Sequence, residues 1–233
     1  MKDSLTIIYY TANHISDYFM ENTKKQLLKA AGDLPIISVS FKPIDFGTNI
    51  CIGEQERSSY MIYKQILAGA KAATTEYVAM AEDDVLYPKE YFDYRPAKDV
   101  FAYDVNKWSI YSWDEHPFFM YKSRRTMTNL IVTREALIKT LEERYAKYPN
   151  ASDVIGTRIH SLWGEPSRFE NSLRITPVAH ERYSSAVPSI VFSHAEAVAF
   201  GHLGTRKAHS GTRANVVEPW GTAEEIMKLY KSK

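Results

Sequence analysis

Residues 76–88, EYVAMAEDDVLYP, contain the feature around which the chain is organised. Residues 77–81 form a short apolar run of strand length that leads directly into three acids, Glu82, Asp83 and Asp84. Adjacent carboxylates at the end of a buried strand repel one another and resist removal from water. A divalent cation would relieve both costs, and carboxylate oxygens suit Mg²⁺ or Mn²⁺. The alternative interpretation is a strand followed by a solvated acidic turn.

The composition is that of an ordinary globular protein. The chain has 233 residues, of which 45% are hydrophobic and 24% charged, and its net charge of +1 gives no global case for nucleic-acid binding. The single cysteine, Cys51, excludes an internal disulfide framework and a cysteine-based zinc site. No signal-like apolar segment opens the chain and no run approaches the ~18 apolar residues of a membrane span. We therefore expect no integral membrane segment and a cytoplasmic location.

The first half of the sequence predicts alternating strands and helices. Strands are predicted at residues 5–10, 35–39 and 77–81, and helices at residues 15–31 and 54–73, with a loop at residues 41–53. Tyr18 and Leu28 are expected on the inward face of the first helix. A β-α-β opening of this kind produces a parallel sheet. Ligands of open α/β sheets bind at the carboxyl ends of strands, so residues 11–13, Arg57 and the three acids should surround one crevice.

The second half predicts a more antiparallel region. Strands are expected at residues 100–103, 108–113, 130–133 and 189–193, and a helix is expected from Thr133 to about Lys147. Ser152 is a suitable N-cap for a helix over residues 153–162. A loop rich in Gly, His and Arg spans residues 200–213, and Thr222 with Glu225 predicts a capping box for a terminal helix.

The order of these parts resembles the nucleotide-sugar glycosyltransferases of the GT-A fold, near the family-2-like group with small bacterial and phage members. The resemblance is carried by the opening strand with its polar tip at residues 10–13, the helix around residues 57–70, and the acidic DxD-type motif Glu82-Asp83-Asp84 in AEDDVLYP. It implies an α/β, Rossmann-like mixed and mainly parallel sheet flanked by helices, with a smaller antiparallel region on the acceptor side. It further implies a single domain, residues 1–233, with a nucleotide-sugar-binding half at 1–110 and an acceptor half with a C-terminal lid at 111–233.

The resemblance also implies site residues and a cofactor, Mn²⁺ or Mg²⁺. Asp84 matches the acid that binds the metal directly in the family, where a late histidine often completes the site. The metal-ligand candidates are therefore Asp84, Glu82, His194 and His209. The candidates for binding the nucleotide and its phosphates are Thr11, Ala12, Asn13, Arg57, Ser58, Glu82, Asp83 and Arg213.

A general base is required if transfer inverts the anomeric carbon, because the acceptor hydroxyl must lose its proton during attack. The candidate acids are Asp153, Glu165 and Asp114. Asp153 is preferred because similar enzymes place their base after the second-half strands and before a helix.

The predicted function is therefore metal-dependent transfer of a sugar, with inversion, from a nucleoside-diphosphate donor, expected to be a UDP-sugar, to a hydroxyl acceptor. The acceptor is a glycan or, in the phage-type alternative, a hydroxymethylated DNA base. Two further alternatives are a nucleotidyltransferase and a non-catalytic nucleotide-sugar-binding module. The chain contains neither GxxxxGK[ST] nor GxGxxG, which argues against P-loop and dinucleotide-binding proteins.

Overall fold

The computed structural model describes residues 4–111, 116–121, 123–193 and 211–230. The first elements are β1 (Leu5–Thr11), α1 (Asp17–Ala31), β2 (Ile36–Ser40), β3 (Thr48–Cys51), α2 (Ser59–Ala72) and β4 (Tyr77–Glu82). Next come β5 (Val85–Leu86), β6 (Val100–Asp104), β7 (Lys107–Tyr111), β8 (Phe119–Tyr121), β9 (Leu130–Thr133) and α3 (Arg134–Lys147). The last are α4 (Glu170–Leu173), β10 (Ala179–Tyr183), β11 (Ser189–Ser193), β12 (Thr212–Ala214), β13 (Val216–Val217), β14 (Gly221–Thr222) and α5 (Ala223–Met227). Short 3-10 helices lie at Lys89–Asp93, Met127–Asn129, Ala151–Asp153 and Arg158–Leu162.

The main sheet has seven strands in the order β10-β6-β9-β4-β1-β2-β3. Strands β4, β1, β2 and β3 are mutually parallel, as are β10 and β6, while β9 runs antiparallel to both of its neighbours. A smaller sheet, β12-β8-β7-β11-β5, contains three antiparallel pairs and one parallel pair. This architecture confirms the predicted fold class, a mainly parallel sheet flanked by helices with a smaller antiparallel region.

Local sequence signals account for where the helices begin. The Ser16 hydroxyl accepts a hydrogen bond from the Phe19 amide at the start of α1, and the Ser58 hydroxyl accepts one from the Met61 amide at the start of α2. At α5, the Thr222 and Glu225 side chains exchange hydrogen bonds with each other's amides, which confirms the predicted capping box.

Helix α2 approaches β1 so closely that only a glycine fits between them. A Cβ atom built on Gly69 would lie 2.5 Å from Cγ2 of Ile8 and 3.3 Å from Cγ2 of Val39. One turn earlier, the buried Gln65 amide donates to the carbonyl oxygens of Thr11, at 2.8 Å, and Val39, at 2.9 Å. The close contact therefore ties the carboxyl ends of β1 and β2 to the helix.

The structure corrects several predictions in the first half. Residues 48–51, within the predicted loop, form the edge strand β3, where the Asn49 amide donates to Oγ of Ser38 and of Ser40, both at 2.9 Å. Helix α2 begins at Ser59 rather than at residue 54. Tyr18 and Leu28, predicted to face inward on α1, are 46% and 51% exposed.

The predicted helix over residues 153–162 is wrong. Asn150, not Ser152, is the N-cap, and the chain makes two separate 3-10 helices instead. Between them Gly156 adopts a left-handed φ of 75°, which no continuous α-helix accommodates.

Candidate active site

Three acids lie at the carboxyl end of β4, next to the carboxyl end of β1. We call Glu82, Asp83 and Asp84 the acid turn. Tyr10 pairs with Glu82 across the parallel strands, and its hydroxyl donates to Oε1 of Glu82 at 2.5 Å. The Thr11 hydroxyl donates to Oδ2 of Asp83. The tip of β1 therefore holds the first two acids of the turn directly.

Backbone contacts fix the acid turn from its other sides. The hydroxyl of the buried Tyr87 accepts from the Glu82 amide at 3.0 Å and donates to the carbonyl of Thr128 at 2.8 Å. The Phe192 amide in β11 donates to the carbonyl oxygen of Asp84 at 2.8 Å. The turn is thus attached to strands from both sheets through the backbone of Glu82 and Asp84.

The acids perturb one another electrostatically. Burial, together with the charges of Asp84 and Asp83, raises the pKa of the Glu82 carboxyl to about 8, against hydrogen bonds from Tyr10 and Thr128 that lower it. Accumulated negative charge of this kind favours a cation nearby. Within the described ranges, no group of three or more His, Cys, Asp or Glu side chains is arranged to hold a metal ion. An ion at this edge would therefore take fewer than three ligands from the described side chains, as Mg²⁺ sites that also use substrate phosphates do.

The predicted nucleotide-binding residues of β1 form a rigid tip. Asn13 adopts a left-handed φ of 52°, and its Oδ1 accepts from the amides of Phe41 at 3.0 Å and Lys42 at 2.9 Å. The Asn13 amide donates to the Thr11 hydroxyl at 2.9 Å. The structure therefore places Thr11 in contact with the acid turn and Asn13 against the chain that follows β2.

Arg57 and Ser58 lie at the same edge of the sheet, because α2 begins where β3 has ended and runs back along the strands. The Ser58 hydroxyl is buried and caps α2, so it already has a structural function. Arg57, directly before it, is half-buried.

Glu165, in the second half of the chain, lies within electrostatic range of two buried groups that also sense Glu82. Burial is the main cause of the raised pKa of Tyr63, and the charges of both Glu165 and Glu82 contribute to it. The same two carboxylates act on the buried amine of Lys107. Tyr63 and Lys107 are therefore each close enough to Glu165 and to Glu82 for both charges to act on them. Oε2 of Glu165 pairs with Nη1 of Arg168 at 3.2 Å, and its side chain is 18% exposed.

Asp153 occupies a different environment. Its Oδ2 accepts from the Asn150 amide at 2.8 Å in a reciprocal capping box, and the Asn150 side chain accepts from the Asp153 amide. Its charge is felt by Tyr60, whose pKa is raised mainly by burial. Asp153 as the base stays a prediction, but its described contacts are those of a turn-stabilising residue.

One predicted site residue lies away from the acid turn, and three others lie outside the described residues. Arg213 lies on β12, separated from β5 by three strands of the smaller sheet, and its guanidinium lies 4.5 Å from the Phe118 ring centroid. Asp114, His194 and His209 lie outside the described residues.

Lys107 is a site residue that the sequence analysis missed. Only 5% of it is exposed, and its Nζ donates to the carbonyl oxygens of Arg124 and, at 3.4 Å, Asp104. The residue begins β7 as one charge in a short strand, and nothing local indicates that its side chain turns into the protein. Burial lowers its pKa to about 8, against the charges of Asp104, Glu165 and Glu82, which raise it.

The buried Lys107 predicts a specific pH dependence of stability. Its pKa is about 8 in the folded protein against an ordinary 10.5, so between these values only the unfolded chain carries the proton. The free energy of unfolding should therefore rise with pH from about 8 to 10.5, by up to about 3 kcal/mol from this residue. Lys107→Met should lack this rise. Urea denaturation of both proteins across that range measures it, since other titrating groups cancel in the difference, and equal slopes would contradict it.

A cavity of about 640 Å³ lies at the opposite, amino edge of the sheet. Its lining includes Lys29, Asp33, Lys89 and Arg95, from the end of α1 and the segment after β5. None of the predicted site residues lines it. No helix among the described residues combines the length and the apolar character needed to cross a membrane.

Comparisons with known proteins give fold-level similarity alone. No family model matches the sequence, and no curated protein matches it. Among solved structures, a glycosyltransferase involved in glycosylation of the major capsid of PBCV-1 has 10% identity and a TM-score of 0.43, over 77% of this chain and 81% of its own. The glycosyltransferase GlyE of Streptococcus pneumoniae TIGR4 has 7% identity and a TM-score of 0.46, over 78% of this chain. The bifunctional IspDF of Campylobacter jejuni has 11% identity and a TM-score of 0.40, over 78% of this chain. The match spans 45% of GlyE and 50% of IspDF. Similarity at this level does not bear on activity, which rests on the geometry of the site.

Proposed function

We propose that this protein is a glycosyltransferase that moves a sugar from a nucleoside-diphosphate donor, a UDP-sugar, to a hydroxyl group of an acceptor. The observation that carries the proposal is the position of the acid turn at the carboxyl edge of a mainly parallel sheet, with Glu165 close enough to Tyr63 and Lys107 for its charge and that of Glu82 to act on both. Ligands of open α/β sheets bind at this edge. The reaction therefore needs two kinds of carboxylate. The first kind binds a cation that stabilises the charged leaving group, and the second accepts the proton of the hydroxyl nucleophile.

The acid turn supplies the first kind. Its carboxylate oxygens fit Mg²⁺ or Mn²⁺, and the pKa of Glu82, raised by burial and then by the charges of Asp84 and Asp83, reflects the electrostatic cost that such an ion would relieve. We assign Asp84 as the direct ligand because it matches the last acid of the DxD-type motif, while Glu82 and Asp83 accept hydrogen bonds from hydroxyls of β1. When bound, the ion would neutralise charge on the diphosphate leaving group. The same proposal includes a further metal ligand from one of the two late histidines, His194 or His209.

Glu165 supplies the second kind, as the general base. Its carboxylate takes the proton of the acceptor hydroxyl while that oxygen forms a bond to the anomeric carbon. The bond from this carbon to the diphosphate breaks, and its electron pair leaves with the diphosphate oxygen, so the configuration inverts. We prefer Glu165 to Asp153 because the charges of Glu165 and Glu82 act on the same two residues, Tyr63 and Lys107. The Asp153 carboxylate instead closes a capping box.

Ligand-dependent stability tests the donor class. UDP with Mn²⁺ should raise the melting temperature, because a ligand at about 100 times its Kd adds ~2.7 kcal/mol to the folded state. For a domain of this size that is a shift of roughly 5–10 °C. Uridine with Mn²⁺ is the matched control, since it lacks the diphosphate, and should give little shift. Equal shifts with UDP and uridine would contradict a metal–diphosphate site.

Product analysis separates transfer from its alternatives. Incubation with UDP-sugars and Mn²⁺ should release UDP, and faster release with an added hydroxyl acceptor identifies transfer. Binding without any release would indicate a non-catalytic module. Formation of a nucleotide sugar from a nucleoside triphosphate and a sugar phosphate would instead indicate a nucleotidyltransferase.

A further inference from the structure

The loop that carries Glu165 is held by a fully buried ion pair. We call residues 163–170 the Glu165 loop. Nη2 of Arg144, on α3, contacts Oε1 of Glu170 at 3.0 Å, and the two side chains are 0% and 4% exposed. Nη1 of Arg144 donates to the carbonyl of Gly164 at 2.7 Å, and Oε1 of Glu170 accepts from the amide of Ser167 at 2.7 Å. The pair thus forms hydrogen bonds with the backbone on both sides of Glu165.

Other side chains hold the remaining parts of this loop. The Tyr103 hydroxyl donates to the carbonyl of Pro166 at 2.7 Å, and Nη1 of Arg125 donates to Oγ of Ser167 at 2.7 Å. Trp163, 4% exposed, packs against the rings of Tyr60, Tyr63, Tyr145 and Tyr148. Among the described residues, the carboxylate of Glu165 pairs with the exposed Arg168 and takes no part in this anchoring.

A buried ion pair is a poor means of gaining stability. Removing two charges from water is expensive, and apolar residues of the same volume commonly replace such a pair with no loss of stability. The Arg144–Glu170 pair instead orients the loop. Its hydrogen bonds fix the backbone at Gly164 and Ser167, and this backbone determines where Glu165 lies. The Arg144 guanidinium also lies 5.4 Å from the Tyr63 ring centroid and 5.7 Å from that of Trp163, so it joins the loop to α2.

We infer that Arg144 and Glu170 are positioning residues that act through Glu165. The pair holds the Glu165 loop so that the carboxylate faces the acceptor hydroxyl, and it touches neither donor nor acceptor. This inference rests on the proposed function for its effect on turnover, but its effect on the loop is independent of any activity.

The first arm of the test measures the loop alone. In Arg144→Met, amide hydrogen exchange across residues 164–168 should accelerate by at least about tenfold, because two of the anchors of the loop are lost. Tyr91→Phe is the control: it also removes a buried hydrogen-bond donor, the hydroxyl shared between the carbonyls of Met80 and Leu130, which are not part of this loop. Unchanged exchange at residues 164–168 in Arg144→Met would overturn the inference whatever the protein catalyses.

The second arm measures turnover in a double-mutant cycle with Glu165→Gln. Arg144→Met should lower kcat about 10–100-fold with little change in the donor KM, because small displacements of a reacting group reduce rate steeply. In the Glu165→Gln background the same substitution should lower kcat no further, since Arg144 acts through Glu165. Tyr103→Phe, a milder change, should show the same pattern at smaller amplitude. Losses that multiply in the double variant would indicate a merely structural pair and overturn the inference. Normal turnover of Glu165→Gln alone would instead refute the assignment of Glu165 as the base. Faster exchange in the loop of Arg144→Met would then show only that the ion pair stabilises the loop, and the positioning role would be overturned as well.

Discussion

Replacing Asp84 by Asn should reduce sugar transfer by about 10³-fold or more, because a bound cation contributes several kcal/mol of charge stabilisation to a diphosphate leaving group. The substitution should leave the fold intact, since the turn is held by the Asp84 carbonyl, which accepts from Phe192, and by Tyr87. The stabilisation of the protein by UDP should lose its dependence on Mn²⁺ at the same time. Initial rates and melting temperatures with and without Mn²⁺ measure both effects.

An exposed acid elsewhere provides the control for Asp84. Asp93 lies at the amino edge of the sheet, where it lines the cavity opposite the acid turn. Asp93→Asn changes the net charge equally and should leave both the rate and the Mn²⁺ dependence within twofold of the original. Full activity of Asp84→Asn would rule out the acid turn as the metal-binding element of the proposed mechanism.

Replacing Glu165 by Gln should slow transfer by ~10²–10⁴-fold, the usual effect of removing a general base. Gln retains the shape of the side chain, and the loop is held by other residues, so UDP and Mn²⁺ should bind as before. Single-turnover kinetics with a saturating donor separate the chemical step from binding. The product should have inverted configuration, which nuclear magnetic resonance of the anomeric proton reports.

Asp153→Asn is the matched test of the competing base. Loss of the capping carboxylate should lower stability by ~0.5–2 kcal/mol with near-normal turnover. If Asp153→Asn slows transfer at least 10²-fold and Glu165→Gln does not, the two roles are reversed. A product of retained configuration would remove the need for either base.

The parts of the fold that were predicted correctly are those whose signals are local. The strand of residues 77–82 is indicated by an apolar run followed by acids. The capping box of Thr222 and Glu225 is likewise indicated by a stretch of four residues. The edge strand β3 was missed because the Pro, Gly and Asn residues of the stretch 41–53 have low strand propensity; pairing with β2 outweighs this. The helix over residues 153–162 was predicted from Ser152 as a cap, without weighing the left-handed Gly156.

The candidate site was predictable on one side only. The acid turn and residues 11–13 follow strand ends, and parallel strands bring their ends to one edge. Lys107, Arg144 and Glu170 depend on contacts between residues far apart in the chain, such as Arg144 with Gly164 and Glu170. Burial of a charged side chain is decided by such partners, so no short motif indicates it.

The close packing at Gly69 affects how a mutational map of this protein should be interpreted. Any larger residue there forces α2 away from Ile8, and with it Gln65, the residue that ties down the carbonyl of Thr11. Sensitivity to substitution would then appear on the face of α2 that packs against the sheet, remote from any reacting atom. A mutational scan for loss of activity would therefore identify a packing residue such as Gly69 as strongly as a residue that takes part in the reaction. Position in the scan alone would not distinguish the two.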